Sequence, residues 1–430
     1  MYLIEGQRWN ADQPGFADLL ADARESRKRP ICLCSEPGIE MYIARLPDGC
    51  IVKRLPYTGN QHAPHCPHFE PPADASGLGQ LTGSAISEDT DSGMTLLNLG
   101  FAMSKGASRA VPTGTHGPKG SVSCDGSRLS LRGLLHFLWD QAELMHWRPG
   151  FAGKRTWAVV RSHLLRAVQN KTARGVPLAP SFYIPEVFST ERRAEISERR
   201  TARFLRGTAG SAGAGHPLLL LIAELKEVVP ARFGFKAVIK HVPDQSFALD
   251  RQLHRRMSNH FARELLLWAA SDSIHMMVIA TFGLNSAGLP ALEELSLMPV
   301  TAQWIPVDDV YDERLVERLV HDARAFVKLQ THDTRSAFSR ASAMLLDAAG
   351  DAVPLRLRRP SDEHKKGSWD AADPGAGSPS WVWNVAEENL PAFPACRGAN
   401  RSRVLLNSRL KKANPTPGPD SAASAAWAAR

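Results

Sequence analysis

The segment from Cys32 to His68 constrains the chain more than any other. It opens with Cys32 and Cys34 one residue apart and closes with His62, His65, Cys66 and His68 inside seven residues. Between these clusters, MYIARLPDGCIVKRLPYTG alternates apolar and polar positions on either side of Pro47-Asp48-Gly49, the pattern of two strands joined by a turn. A hairpin returns its ends to one place, so it carries the paired cysteines to the histidine-rich cluster. Three thiolates and one imidazole make a tetrahedral sulfur and nitrogen set that suits Zn²⁺. Such a set leaves no open position for water, so the expectation is a structural site rather than a reacting one.

The spacing alone leaves the fourth ligand open. His62 precedes Cys66 by four residues, enough for a loop to wrap a metal, whereas His68 forms a Cys-x-His pair like that of the SWIM zinc motif. His65 adjoins Cys66 and is the least suited, and Cys50 lies beside the turn, far from both clusters in a regular hairpin.

A chain of 430 residues points to several domains, and 43% hydrophobic residues excludes wholesale disorder. The first residues, MYLIEGQRWNAD, lack the apolar centre of a signal peptide, and the longest apolar runs, 218–223 and 276–282, fall short of a bilayer span. The expectation is therefore a soluble cytoplasmic protein with no membrane partner. In that reducing compartment clustered cysteines bind metal more readily than they form disulfides.

The formal net charge of +8 is unevenly placed. Residues 397–430 hold seven Lys or Arg against one Asp, and residues 151–207 hold twelve against four Glu. The tail and one internal segment thus carry the excess, while the remainder is slightly acidic. In the internal segment, LRGLLHFLWDQ and TWAVVRSHLLRAV show helical spacing, with Ser130 placed to cap the first. On the second helix Arg155, Ser162, Arg166 and Gln169 share a face free of carboxylates. Two helices followed by the extended PLAPSFYIPEVF fit a winged-helix-like module that presents Lys154, Arg155, Arg161 and Arg166 to DNA phosphates. An ordinary solvated helix face accounts for the same pattern.

The fold expected from these signals is α+β and multidomain. A zinc-stabilised β domain spans 1–110, a basic helical module 128–206, a mixed α/β domain 217–395, and a disordered basic tail 396–430. In the third, LLLLIAELKEVV and FGFKAVIKHV read as paired strands, ALDRQLHRRMSNHFARELLLWAAS as one long helix, and HMMVIATFGL and TAQWIPV as strands. DERLVERLVHDARAFVKL reads as a helix, Gly350-Asp351 as a hairpin turn, and WVWNV as a further strand.

Catalytic signals are weak. Glu224-x-Lys226 resembles the carboxylate and lysine of Mg²⁺-dependent nucleases, but residues 207–223 lack the upstream acid, and Asp347 faces a strand without the matching pair. His254 and His260 lie on different faces of one helix, and no Gly-x-Ser-x-Gly motif is present. GLGQLTGSAI matches no phosphate-binding fingerprint.

The segments CLCSEPGIEMYIA, VKRLPYTGNQHAPHCPHFEPP, SGLGQLTGSAI, SLRGLLHFLWDQAEL, ELKEVVPARFGFKAVIKHVPD and IATFGLNSAG together resemble the bacterial domain-of-unknown-function family 1173, over residues 30 to 394. The resemblance implies an accessory protein of plasmids and integrative conjugative elements and implies no activity; the partners expected are DNA, from the basic segment, and other mobile-element proteins. The family's Cys-x-Cys and His-x-x-x-Cys pattern falls on Cys32, Cys34, His62 and Cys66. A zinc-containing, DNA-associated accessory protein is the leading expectation, with a protein-interaction component or a weak nuclease as alternatives.

Overall fold

The computed structural model describes residues 1–46, 49–72, 83–89, 92–106, 128–208, 216–329, 341–360, 381–387 and 389–397. Most of the sequence's expected linkers, the Pro47-Asp48 turn, and the basic tail beyond 397 lie outside the described residues.

The N-terminal sheet is built from β1 (Tyr2–Ile4), β2 (Gln7–Trp9), β3 (Ile31–Cys32), β4 (Ile39–Leu46) and β5 (Gly49–Arg54), in the order β2-β1-β3-β4-β5 with every pair antiparallel. The expected hairpin is β4 and β5, with Leu46 opposite Gly49. Sequence periodicity gives only a helix in the first 28 residues. A two-strand hairpin precedes that helix, turning through Glu5 and Gly6, both at positive φ, as a two-residue hairpin turn requires. The helix, α1 (Phe16–Glu25), lays Phe16, Leu20 and Ala23 against Tyr2, Ile4 and Ile43.

The central segment contains α2 (Leu131–Gln141) and α3 (Trp157–Ala167), separated by the short strand β9 (His146–Trp147). Ser130 caps α2 as its position predicts, accepting from the Gly133 N–H at 3.1 Å. The helix is not amphipathic in its setting: His136, Phe137 and Trp139 are buried along with Leu131, Leu134, Leu135 and Leu138. It packs between α3 and two strands of a barrel described below. After α3 comes a hairpin, β10 (Lys171–Ala173) and β11 (Val176–Pro177), which extends β6 (Ile86–Asp89) and β7 (Met94–Leu97) into a four-stranded sheet. Then follow β12 (Phe182–Tyr183) and the charged helix α4 (Arg193–Thr208). The strands β8 (Ser104–Lys105) and β13 (His216–Pro217) pair with each other.

The next strands close into a ring. They are β14 (Leu219–Ala231), β15 (Gly234–Ile239), β16 (Ser246–Leu249), β17 (His275–Leu284) and β18 (Pro290–Val300). The order is β14-β15-β16-β18-β17, and β17 pairs back onto β14. Within the ring only β16 and β18 run parallel; β12 adds to the side of β14, also parallel. The single long helix expected between β16 and β17 is two, α5 (Arg251–His260) and α6 (Ala262–Ala270), broken at Phe261. Both helices lie against the barrel, Leu253 and Met257 from the first and Leu265 and Trp268 from the second, while the second also sends Leu267 to a separate apolar cluster. TAQWIPV is a turn with an isolated bridge, and the strand is instead PALEELSLMPV.

The last sheet holds β19 (Phe326–Lys328), β20 (Ala343–Leu345), β21 (Val353–Arg358) and β22 (Trp381–Asn384), preceded by α7 (Val310–His321). Its outer strand is β9, donated by the central segment. The largest apolar cluster runs from Phe69 and Ala85 through Trp139 and Leu164 to Leu220, Met277 and Met344. It therefore draws on all three segments that the sequence suggests as separate domains.

A buried ion pair locks α7 to the last sheet. The Lys328 ammonium lies 3.1 Å from Asp312 Oδ2, with both side chains almost fully enclosed. The Ser342 hydroxyl and the Asp308 N–H donate to the same carboxylate. Truncating one member leaves the other charge buried and alone, so Asp312→Ala is expected to cost about 3–5 kcal/mol in urea unfolding. A loss below ~1 kcal/mol would show that the pair does not hold this layer.

Candidate metal centre

Two short stretches of backbone position the donors. Cys32 ends β3, where Tyr2 on one side and Ile39 on the other fix its place in the sheet. Cys34 follows in the loop to β4, which closes at Gly38 with φ +99°. A Cβ there would sit 2.7 Å from Ile31 Cγ2, so the tight return to β4 requires glycine. On the other side, β5 leads into a 3₁₀ turn at Gly59–Gln61 that delivers His62. The Cys66 N–H bonds the Ala63 carbonyl at 2.8 Å, and the Glu70 N–H returns to the Gly59 carbonyl at 3.0 Å. An ion pair between Arg54 and Glu70 ties this loop back to β5.

The structure thereby brings Cys32, Cys34, His62 and Cys66 together, with their candidate ligand atoms all within 4.8 Å of one another. Cys32 Sγ is 3.7 Å from Cys66 Sγ, and His62 Nδ1 is 3.3 Å from Cys34 Sγ and 3.7 Å from Cys66 Sγ. A tetrahedral ion with metal–sulfur bonds of about 2.3 Å and a metal–nitrogen bond of about 2.0 Å would set its sulfurs about 3.8 Å apart and its sulfur and nitrogen about 3.5 Å apart. The observed spacings match both values. Among the described residues this is the one group of three or more His, Cys, Asp or Glu that can hold a metal ion.

Electrostatics favours a cation in the same place. Cys32, Cys66 and His62 are buried, and Cys34 is half-buried. The hydrogen bond from Cys66, with help from His62, pulls the Cys32 thiol down to about 3 against the opposing effect of burial. That same bond, with burial, pushes the Cys66 thiol up. The Cys32 anion is thus favoured and ionisation of Cys66 beside it is opposed, because adjacent anions in an enclosed space repel unless a positive ion neutralises them. Thiolate is the metal-binding form, so a cation is what allows the set to ionise together.

His68, the alternative fourth ligand, stands outside the set. Its Nε2 lies 2.7 Å from the Tyr2 hydroxyl, and its ring packs on the His62 ring at 5.6 Å. Burial pulls its pKa down to about 4, so it is a neutral ring supporting His62. Tyr2 and His68 fix the surroundings of the ligand ring, a role that no local sequence signal reveals. His65 points elsewhere, toward Arg397.

The residues proposed to contact phosphate are divided. Arg155 is turned inward: its guanidinium donates to the carbonyls of Leu144, Gln303 and His146 and lies over the rings of Trp147 and Phe151. Burial lowers its pKa to about 10. A guanidinium so engaged joins the α3 entry to the core and is not presented to a ligand. Arg161 is half-buried and donates to the Ile184 carbonyl at 3.1 Å. Lys154 and Arg166 are exposed.

The nuclease-like positions also have other occupations. Glu224 Oε1 accepts from the Lys240 ammonium and lies against His275 Nδ1, each at 2.7 Å. Although burial opposes ionisation, His275 and Lys240 hold this carboxyl below its usual range. Asp347 is clasped by the Arg324 guanidinium, at 2.9 Å at the nearest, and by the Ala325 N–H. These partners come from segments distant in sequence, which a local motif does not show. His254 stacks on Phe235, and His260 is exposed.

For the donor set, elemental analysis of the purified protein is expected to give about one transition-metal ion per chain. Cys66→Ser and His62→Ala should lose most of it, and His68→Ala should retain it. Loss in His68→Ala equal to that in His62→Ala would exclude the assignment of the fourth ligand.

Among the described residues no helix is long and apolar enough to cross a membrane. No curated protein and no solved structure matches the chain significantly. A family model described as "Protein of unknown function (DUF1173)" matches residues 2–386. That match takes in the donor set, both central helices and the whole barrel, and by it the chain belongs to the DUF1173 family.

Proposed function

We propose that this protein is a zinc-containing, DNA-associated accessory protein of mobile genetic elements. The observation that carries the zinc reading is the closed three-thiol, one-imidazole set at tetrahedral spacing. Sulfur-rich tetrahedral sites select zinc among common divalent ions, and a complete set of protein ligands leaves no position for a reacting water. Zinc here joins β3 to the loop after β5 and so holds the N-terminal sheet.

DNA association is supported by the charge pattern. Lys154 and Arg166 are exposed on a segment where twelve Lys or Arg face four Glu over residues 151–207. Arg199 is already committed to Glu186, and Arg200 to Asp244, so the free positive surface is smaller than the count suggests. A central module of winged-helix type would use α3 and the β10–β11 hairpin that follows it. The mobile-element role rests on the family resemblance.

Affinity for a short labelled duplex should fall with rising salt, because each phosphate contact releases counterions. With residues 398–430 removed, salt-sensitive binding is expected to persist. Lys154→Ala and Arg166→Ala should each flatten the slope of log affinity against log salt by about 1. Binding that vanishes with the tail would contradict the central-surface reading.

A further inference from the structure

The barrel has a topology that the sequence did not announce. Three antiparallel strands, β14, β15 and β16, are followed by helix and then by β17 and β18. The ring closes through parallel β16–β18 and antiparallel β14–β17 pairs. Five strands in the ring order first, second, third, fifth, fourth, with a helix between the third and fourth, form an OB-fold barrel. The first strand carries a bulge between Leu225 and Glu227, which lets its two halves pair with different neighbours. A fold alone assigns no ligand, so the surface must supply the argument.

On OB barrels ligands lie across the second and third strands, between the first-to-second and fourth-to-fifth loops. Here those loops flank the end of β16: Ala231 opposes Gly234, Phe235 opposes Leu249, and Ala248 opposes Ala291 at the start of β18. The tip of the first loop is Phe233, 85% exposed, the most exposed of the large hydrophobic side chains among the described residues. Its presentation is built in. Gly234 has φ +91°, and a Cβ there would lie 2.7 Å from the Leu249 carbonyl, so the loop is pressed onto the β16–α5 junction with Phe233 projecting outward. The Arg232 guanidinium lies over the Phe233 ring at 5.3 Å.

Charge on this face is sorted. Lys236 points outward between the inward-facing Phe235 and Ala237, and Arg251 and Arg255 are exposed on α5 beside the loop. None of these, nor Arg232, makes an ion pair among the described residues. The neighbouring acids are mostly occupied: Glu224 with Lys240, Asp244 with Arg200, Glu293 with Lys105, and Asp250 as the cap of α5. Glu227 and, beside Glu293, Glu294 remain exposed without an ion pair among the described residues.

We propose that the outer face of the barrel, around Phe233 and Lys236, binds single-stranded nucleic acid. A base stacks on the Phe233 ring, while Arg232, Lys236 and Arg251 meet the phosphates. An exposed aromatic beside unpaired cations serves unpaired bases, whose faces are free, and not a duplex, whose bases are already stacked. The ligand class rests on the DNA-association reading, but the surface is separate from that of Lys154 and Arg166.

Fluorescence anisotropy of the full chain with labelled oligo(dT), oligo(rU) and a duplex tests this. Phe233→Ala should weaken single-strand binding about 5- to 150-fold. Phe233→Trp should restore it, and duplex binding should stay within about twofold, with the thermal midpoint unchanged because the side chain is exposed. The substitution removes no charge, so basic residues elsewhere contribute equally to both proteins. The tighter of the dT and rU probes identifies DNA or RNA as the strand. Unchanged single-strand affinity in Phe233→Ala overturns the site while leaving DNA association standing if the duplex still binds. Failure of every probe with the wild-type chain overturns both.

Discussion

Three thiols and an imidazole, with donor atoms all within 4.8 Å of one another, are unstable company as anions unless something positive stands between them, and they sit where the N-terminal sheet meets the loop after β5. The sheet's own apolar support is modest and split in two: Tyr2, Ile4, Phe16, Leu20, Ala23 and Ile43 pack on one side, and Ile39 and Met41 pack with Cys32 and Cys66 on the other. Cores of that size rarely hold a fold alone and are commonly fixed by a disulfide or a metal. The donor set joins β3 to the loop after β5, with the Arg54–Glu70 pair and the Tyr2–His68 contact closing around it. Binding energy at such a site becomes folding energy, because the unfolded chain does not preserve the arrangement.

The rest of the chain is organised by long-range burial. The strand β14 serves the barrel with one face and the main apolar cluster with the other: Leu219, Leu221 and Ala223 point into the barrel, whereas Leu220 and Ile222 meet the central helices. This explains why α2 is buried all round and why Arg155 is inside, joining loop carbonyls over Trp147. The central segment also supplies β9 to the last sheet. A basic stretch in sequence is therefore partly a cohesive element, with Lys154 and Arg166 among the positive side chains it leaves exposed, alongside Arg174, Arg192, Arg193 and Arg206.

Much of the metal centre was legible because its ligands fall in two short clusters bracketing one hairpin, so spacing and turn chemistry place them together. The fourth ligand was not settled by spacing, since His62 and His68 both suit it. Three-dimensional packing separates them, as His68 is taken up by Tyr2. The cap at Ser130 and the first part of α7 were equally readable, but the helix expected to run on to Leu329 ends at His321, and Phe326–Lys328 forms the strand β19. Features set by distant contacts were not. Phe261, buried against the barrel cluster, breaks an uninterrupted helical pattern, and β18 hides behind Glu293 and Glu294. The partners of Glu224 arrive from β17 and the end of β15, where only sheet register brings them. Closure of the barrel is likewise a property of pairing between segments far apart in sequence.

The central claim is that the donor set is closed and structural. X-ray absorption at the zinc edge of the purified full-length protein tests it most directly. The account predicts three sulfurs at about 2.3 Å and one imidazole nitrogen at about 2.0 Å, with no oxygen in the first shell. A shell containing water oxygen, or fewer than three sulfurs, would contradict it.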